Sequence, residues 1–346
     1  MVRLYTCDPA LYEGYVELAG RYYAETGTEV IVMTPDGKSC EDALTELLKQ
    51  EQFPTIFCIH SQQMLETLQH ELQDLSGTLA AGTLYHSAFA LESEGKILAL
   101  AADVEASGII YNASLLAKSG WSGPEITELA TLQTTMNYIK TNAYRTNIYT
   151  IAAPDYNDSA LMALMAGLHT DPTQLRSFLD VYLANTTVKS TSLTYFLRGT
   201  TVFHMGGTWD YDKVAAVGSN KLGFLPALAE DTNAMQCICD HYWAVSSNAS
   251  EKDLQATLAF LDWLVTTRDS AAPVDSLGLL APYRDAAFTS NPLQSILRTY
   301  IASGNVRVNW KVSGNVTDIT AFTAALKTYA NEKTDQAWQA VADLMQ

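Results

Sequence analysis

The sequence predicts a two-lobed α/β protein with lobes discontinuous along the chain, and three observations predict it. The chain has 346 residues, more than one ordinary hydrophobic core accommodates. Short apolar runs bounded by Gly, Pro and polar turns alternate with stretches of helical period, the pattern of strand, helix, strand units. Between Lys96 and Trp121, KILALAADVEASGIIYNASLLAKSGW, an apolar strand passes two acids, Asp103 and Glu105, and runs into a second strand (Gly108 to Tyr111) and a short helix. A strand that feeds another strand directly marks a passage between lobes, with the acids at the seam, where ligands collect.

Composition narrows the classes. Hydrophobic residues make up 48% and charged residues 17%, with mean hydropathy −0.01, which suits a packed chain and not a disordered one. The apolar runs ALMALMAGL (160–168) and FLDWLV (260–265) fall far short of the roughly 18 residues a membrane span needs. A formal charge of −17 repels phosphate backbones and anionic lipid, so nucleic acid is not an expected partner. Five cysteines (Cys7, Cys40, Cys58, Cys237, Cys239) are too sparse and odd in number for a disulfide framework, and most read as buried thiols. Cys237, Cys239 and His241 alternate at period two, but a fourth metal ligand is missing nearby, so plain strand packing is expected and no metal or other cofactor. Met1 leads straight into strand residues, and an export signal, or a lipoprotein signal with its anchoring cysteine, is expected to have been trimmed ahead of it.

Taken in order, Val2 to Thr6 reads as a strand, and Asp8-Pro9 opens a helix that Gly27 closes. Tyr12 lies in its first turn. A second unit follows: strand Glu29 to Met33, helix Glu41 to Gln50, then Phe53-Pro54 and the strand Thr55 to Ile59, ending in His60-Ser61-Gln62. Ligands in open α/β sheets bind beyond the carboxyl ends of strands, which places His60, Ser61 and Gln62 suitably; a capping role for Ser61 is equally natural. After the seam come a helix over Glu125 to Lys140, a strand over Asn147 to Ala152, the cluster Pro154 to Asp158, and a helix over Ser159 to Gly167. Tyr156 in that cluster offers a flat amphipathic ring, while Asp155 or Asp158 suits a cap. Helices are expected near 172–184 and 190–197. The stretch Gly199 to Tyr211, GTTVFHMGGTWDY, then sets Gly206-Gly207 before Trp209, where the backbone can approach a ligand and helix N–H groups lie open at Thr208. In Cys239 to Val245, Tyr242 and Trp243 point to opposite faces of a strand, so only one faces a ligand. Helices over Glu251 to Thr267, 292–302, 319–332 and 335–345 complete the chain, with Arg284 in the loop Pro282-Tyr283-Arg284 and Trp310 in an irregular stretch.

These motifs resemble the extracellular solute-binding proteins of family 1, the sugar-capturing subunits of ABC importers. The likeness is carried by D-V-E-A and G-I-I-Y-N at the crossover, by the polar turn after Phe53-Pro54, by the Gly-Gly-Thr-Trp turn, by Phe224-Leu225-Pro226 and by the return strand CDHYWAV. It implies a type II periplasmic-binding-protein-like fold, two lobes joined by hinge crossovers around a cleft. The lobes are expected at 1–105 with 246–288 and at 106–245 with 289–346. The resemblance also implies a monomeric, extracytoplasmic binding protein, lipid-anchored or periplasmic, that closes on a carbohydrate, an oligosaccharide in particular, and delivers it to a membrane permease. No bond is broken. Trp209, Tyr156, one of Tyr242 and Trp243, and Tyr12 or Trp310 would lie against sugar faces. Asp103 and Glu105 would accept hydroxyl protons, with His60, Ser61, Gln62 and Arg284 near the rim. Glu105 matches a ligand-touching acid of the maltose-binding branch. The turn Thr6-Cys7-Asp8-Pro9 departs from that branch's glycine-rich charged turn, and polyamine, thiamine and iron binders share the fold.

Two other functions fit some of the same residues. The chain lacks G-x-G-x-x-G, Walker, H-E-x-x-H and G-x-S-x-G motifs. A glycoside hydrolase would use Asp103 and Glu105, whose spacing on one strand face is about 6.5 to 7 Å at Cα, near what a retaining pair needs. A cationic solute such as a polyamine would suit several cleft carboxylates.

Overall fold

The computed structural model describes the chain except residues 36–38, 147, 154–161, 163–170, 229–232, 240, 268–270, 287–290, 310–315, 317 and 346, and except the side chains of 41, 62, 144–146, 152, 153, 187–192, 219 and 309. The expected helix over 159–167, and Tyr156, Asp155, Asp158 and Trp310 with it, lie outside the described residues, as does the side chain of Gln62. Among the described residues the strands are β1 (Val2–Tyr5), β2 (Val30–Met33), β3 (Ile56–Ile59), β4 (Ala90–Ser93), β5 (Lys96–Ala101), β6 (Glu105–Asn112), β7 (Tyr149–Ala153), β8 (Thr186–Thr191), β9 (Thr201–Gly207), β10 (Leu222–Pro226), β11 (Met235–Ile238), β12 (Tyr242–Val245) and β13 (Val306–Asn309). They divide between two compact units, Met1–Val104 with Cys239–Thr289 and Glu105–Ile238 with Ser290–Gln346.

Unit 1 is a six-stranded sheet in the order β2-β1-β3-β12-β5-β4. Helix α1 (Pro9–Thr26) starts where the sequence says it must. The Asp8 carboxylate accepts from the Ala10 N–H at 2.8 Å, Pro9 occupies the first turn, and Gly27 at φ 70° ends the helix by donating to the Tyr23 carbonyl. Helices α2 (Cys40–Leu47), α3 (Gln62–Leu68) and α4 (Leu79–Thr83) follow β2, β3 and the loop after it. The second crossing was expected after Val245, but it comes before Cys239. The reason is pairing: β12 runs antiparallel between β3 and β5, with Tyr242 opposite both Ile59 and Ala101, and so belongs to the first sheet. Of CDHYWAV, β12 takes Tyr242–Val245, while β11 ends at Ile238 in the other unit.

Trp243 anchors this unit's core. It is 1% exposed, its Nε1 donates to the Tyr15 hydroxyl at 3.2 Å, and its ring stacks at 6.4 Å on Tyr283. Tyr22 meets Phe260 and Trp263 edge-on at 5.0 Å each, and Trp263 donates to Glu25 at 2.8 Å.

Unit 2 is a seven-stranded sheet in the order β13-β11-β6-β9-β7-β8, with β10 also on β6. Around it lie α5 (Ala113–Lys118), α6 (Leu129–Thr146), α7 (Pro172–Ala184), α8 (Ser192–Leu197), α9 (Tyr211–Val214), α11 (Pro292–Ser303), α12 (Ile319–Glu332) and α13 (Asp335–Asp343); α10 (Glu251–Val265) belongs to unit 1. Ile109, Phe203, Phe178 and Phe322, all at most 1% exposed, mark its core. The helix expected near 190–197 begins only at Ser192, because Thr186–Thr191 pairs with β7 as an edge strand. Arg176 ties α7 to the last two helices, donating to the Tyr329 hydroxyl at 3.2 Å and to Asp335 at 2.6 Å while Tyr329 donates to Asp180.

Burial, more than any one bond, should hold unit 1 together. Trp243→Ala is expected to lower the unfolding free energy in a denaturant titration by about 3 to 5 kcal/mol. Tyr15→Phe, which removes only the acceptor for the indole N–H, should cost about 1 kcal/mol. Equal losses from the two would contradict this account.

Candidate functional site

The strand directions of unit 1 gather its chemistry at one edge. β1 is parallel to β2 and β3, and β12 is antiparallel to both β3 and β5, so β1, β2, β3 and β5 point the same way. The carboxyl ends of β1, β3 and β5 and the start of β12 therefore share an edge, the usual binding edge of such sheets. Thr6-Cys7-Asp8, His60-Ser61, Asp103 and His241 stand there. His241 Nδ1 lies 3.3 and 3.4 Å from the two oxygens of Asp103, which is 8% exposed, and the rings of His60 and His241 meet edge-on at 4.9 Å.

The cysteines depart from expectation. Cys7 and Cys40 form a disulfide, with Cα atoms 5.5 Å apart and a sequence separation of 33. Cys7 follows β1 and Cys40 opens α2, two places that the return through β2 brings together. Cys58, Cys237 and Cys239 are buried free thiols. The possible C-x-C-x-H ligand set is divided, with Cys237 in β11 of unit 2 and Cys239 and His241 in unit 1. The sulfurs of Cys7 and Cys40 and a ring nitrogen of His60 lie within 4.8 Å of one another, but in the disulfide neither sulfur is a thiolate able to bind a metal.

Other predicted residues take structural positions in unit 1. Ser61 caps α3, its hydroxyl accepting from the Met64 N–H at 3.1 Å. Arg284 donates from its guanidinium to the Gly82 carbonyl at 3.0 Å and from its backbone to Thr83, tying a loop to α4. Tyr12 lines a surface cavity of about 320 Å³ between α1 and β2 with Val16, Tyr23 and Val32. Of the strand pair left open by the sequence, Trp243 is taken up by Tyr15 and Tyr283, which leaves Tyr242, itself 1% exposed, on the opposite face of β12. Asp103 and Glu105 do not share a strand. β5 ends at Ala101, Asp103 stands in the connection within unit 1, and Glu105 is the first residue of β6 in unit 2.

In unit 2 the turn after β9 is built around two glycines, for a reason other than the one expected. A Cβ on Gly206 would fall 2.3 Å from Asp210 Oδ2, and one on Gly207 would fall 2.0 Å from the Trp209 ring. The groups approaching the backbone are the protein's own carboxylate and indole. The N–H groups expected to be open at Thr208 are partly used, since the Gly207 N–H donates to Asp210 at 3.2 Å. The Thr208 hydroxyl accepts from the Ala106 N–H at 3.1 Å, which joins the turn to β6. Asp210 is 3% exposed and accepts from Lys213 at 2.7 Å, with His204 Nε2 at 3.8 Å. Burial acts to raise its pKa, but His204 and Lys213 outweigh burial and hold the carboxyl below its ordinary value.

Ser107 and Gln236 carry no local signal in the sequence. They are buried polar residues opposite each other on β6 and β11, and the pairing that unites them spans 129 residues, 236 less 107.

A family model for bacterial extracellular solute-binding proteins matches residues 17–299. RafE from Streptococcus pneumoniae in its apo form superposes with a TM-score of 0.76 at 12% identity, covering 99% of this chain and 96% of that one. A family 1 extracellular solute-binding protein from Bifidobacterium longum subsp. infantis gives 0.74 at 16%, covering 99% and 97%. A binding protein for cyclic α-maltosyl-1,6-maltose from Arthrobacter globiformis gives 0.68 at 15%, covering 99% and 98%. At these identities the likeness carries the fold: mixed α/β with two sheets, as in two-lobed solute-binding proteins. No curated protein sequence matches the chain.

Two outcomes follow from this geometry. Replacing Cys7 and Cys40 together by Ser should lower stability by about 3 to 4 kcal/mol, from the entropy of a loop this long, and an unchanged melting temperature would show that the bridge contributes nothing. A carboxyl with a depressed folded pKa stabilises the fold above its unfolded value near pH 4 and loses that contribution as pH falls through the folded value. Asp210→Asn should therefore be less stable at pH 7, and between about pH 5 and 2 its stability should fall less than that of the unaltered protein. Parallel pH curves would contradict the assigned pairing.

Proposed function

The chain belongs to the bacterial extracellular solute-binding proteins, and from that membership we propose that it is the binding component of an ABC importer that captures a carbohydrate, an oligosaccharide in particular, by hinge closure. The observation that carries the carbohydrate reading is the edge of unit 2. There the indole of Trp209 stands over Gly207, in the row of β6, β9 and β11 residues that also holds Ser107 and Gln236, with Glu105 on the same face. Sugars present apolar C–H faces and hydroxyl edges. An indole suits the first, and carboxylates with amide and hydroxyl side chains suit the second through bonds of about 1.5 to 3 kcal/mol when one partner is charged.

At the edge of unit 1, His60, His241 and Asp103 supply further polar groups, and Asp103 and Glu105 are the acids assigned to hydroxyl recognition. The Cys7–Cys40 disulfide supports an oxidising, extracytoplasmic location, with the protein lipid-anchored or periplasmic. A membrane permease is the partner that would take the solute, and the binding protein would act as a monomer. The cyclic maltosyl-maltose binder among the structural neighbours agrees with a glycan ligand. Membership in a family of binding proteins supports binding over hydrolysis.

A thermal-shift panel tests the reading. A sugar at 100 times its Kd should add about 2.7 kcal/mol of stability, and Trp209→Ala should abolish the shift. A melting point raised by spermidine and by no glycan would replace carbohydrate with a cationic solute. Sugar product accumulating over hours would replace binding with hydrolysis.

A further inference from the structure

Ser107 of β6 faces Gly207 of β9 on one side and Gln236 of β11 on the other. Directly opposed residues of antiparallel strands project to the same face, with Cβ atoms about 4.5 to 5.5 Å apart. The position a side chain at 207 would fill is occupied by the Trp209 ring, so indole, hydroxyl and amide stand in one row across three strands. Ser107 is 2% exposed and Gln236 is 1% exposed. Among the described residues, Ser107 Oγ, Gln236 Nε2 and Trp209 Nε1 are buried atoms with no hydrogen-bond partner, and the two strand neighbours do not bond to each other.

Each of these unpartnered atoms, on two neighbouring strand residues and the indole packed in their row, carries a desolvation penalty that a bond would remove. Their chemistry restricts what can satisfy them. The indole N–H and the amide Nε2 only donate, while the serine hydroxyl donates or accepts. An occupant must therefore bring acceptor oxygen. An ammonium group offers donors only and leaves both nitrogens unmet. Glu105, two residues before Ser107 on the same face, carries a carboxylate that repels an anion. A neutral hydroxyl is both donor and acceptor and meets the whole row.

We propose that Ser107, Gln236 and Trp209 Nε1 form a hydroxyl-recognition recess in unit 2 that fixes the edge of a neutral polyol ring and discriminates against amine solutes. This rests on the carbohydrate reading above and adds two residues to it.

The test uses the full chain as wild type, Ser107→Ala and Gln236→Leu, melted alone and titrated with raffinose, maltose, galactose and spermidine. Without ligand, both variants should melt at or above the wild type, because each loses an unmet polar atom. Each should bind the sugar that shifts the wild type at least tenfold more weakly. Variants that melt several degrees lower yet keep sugar affinity within twofold would overturn the proposal, as the atoms would then serve the fold through bound water. Unchanged sugar affinity at any melting point overturns this inference alone. A wild type that binds spermidine and no sugar overturns the carbohydrate reading and the recess together.

Discussion

Unit 2 depends on how β6 shares one of its sides. Its first three residues bond to β11, and from Gly108 to Asn112 the same strand bonds to β10, while β9 occupies the other side throughout most of its length. The change of partner falls at Gly108, where a Cβ would lie 2.2 Å from the Leu225 carbonyl oxygen. Only glycine lets β10 approach that closely, and the pairing with β11 begins directly beyond it, at Ser107. That register is what sets Gln236 opposite Ser107 and brings the β9 turn, with its indole, into the same row.

Unit 1 achieves a comparable concentration by direction and not by a shared strand. Four strands run one way, so turns distant in sequence meet at one edge. The Asp103 carboxylate lies there against His241, and its charge also acts on Tyr15 and Cys58, whose phenol and thiol are already raised chiefly by burial. An acid so placed is held in position by its surroundings. At the same edge the Cys7–Cys40 disulfide ties the turn after β1 to the start of α2 with a covalent bond.

Features governed by local rules were legible in the sequence. Asp8-Pro9 and Gly27 delimit α1, the seam near Asp103 and Glu105 lies where the units divide, and the Gly-Gly-Thr-Trp turn carries an indole. What escaped depends on contacts far apart along the chain. β4, β11 and β13 are strands through their partners, β5, β6 and one another, which lie far off or in another element and leave no mark in their own four residues. β12 was assigned to the wrong unit for the same reason, as nothing in Tyr-Trp-Ala-Val says which sheet receives it. The Cys7–Cys40 pair and the Ser107–Gln236 pair are likewise joined by topology, which composition and spacing do not encode.

The state of the five cysteines has a practical consequence. Two are joined to each other, and the remaining three are at most 4% exposed, with burial pushing the Cys58 and Cys237 thiols upward and away from the reactive thiolate. Maleimide chemistry therefore has nothing to attack on the native surface. One cysteine introduced at an exposed position would accept an environment-sensitive dye at that site alone, which makes this chain a direct scaffold for a fluorescent reporter of whatever solute it holds.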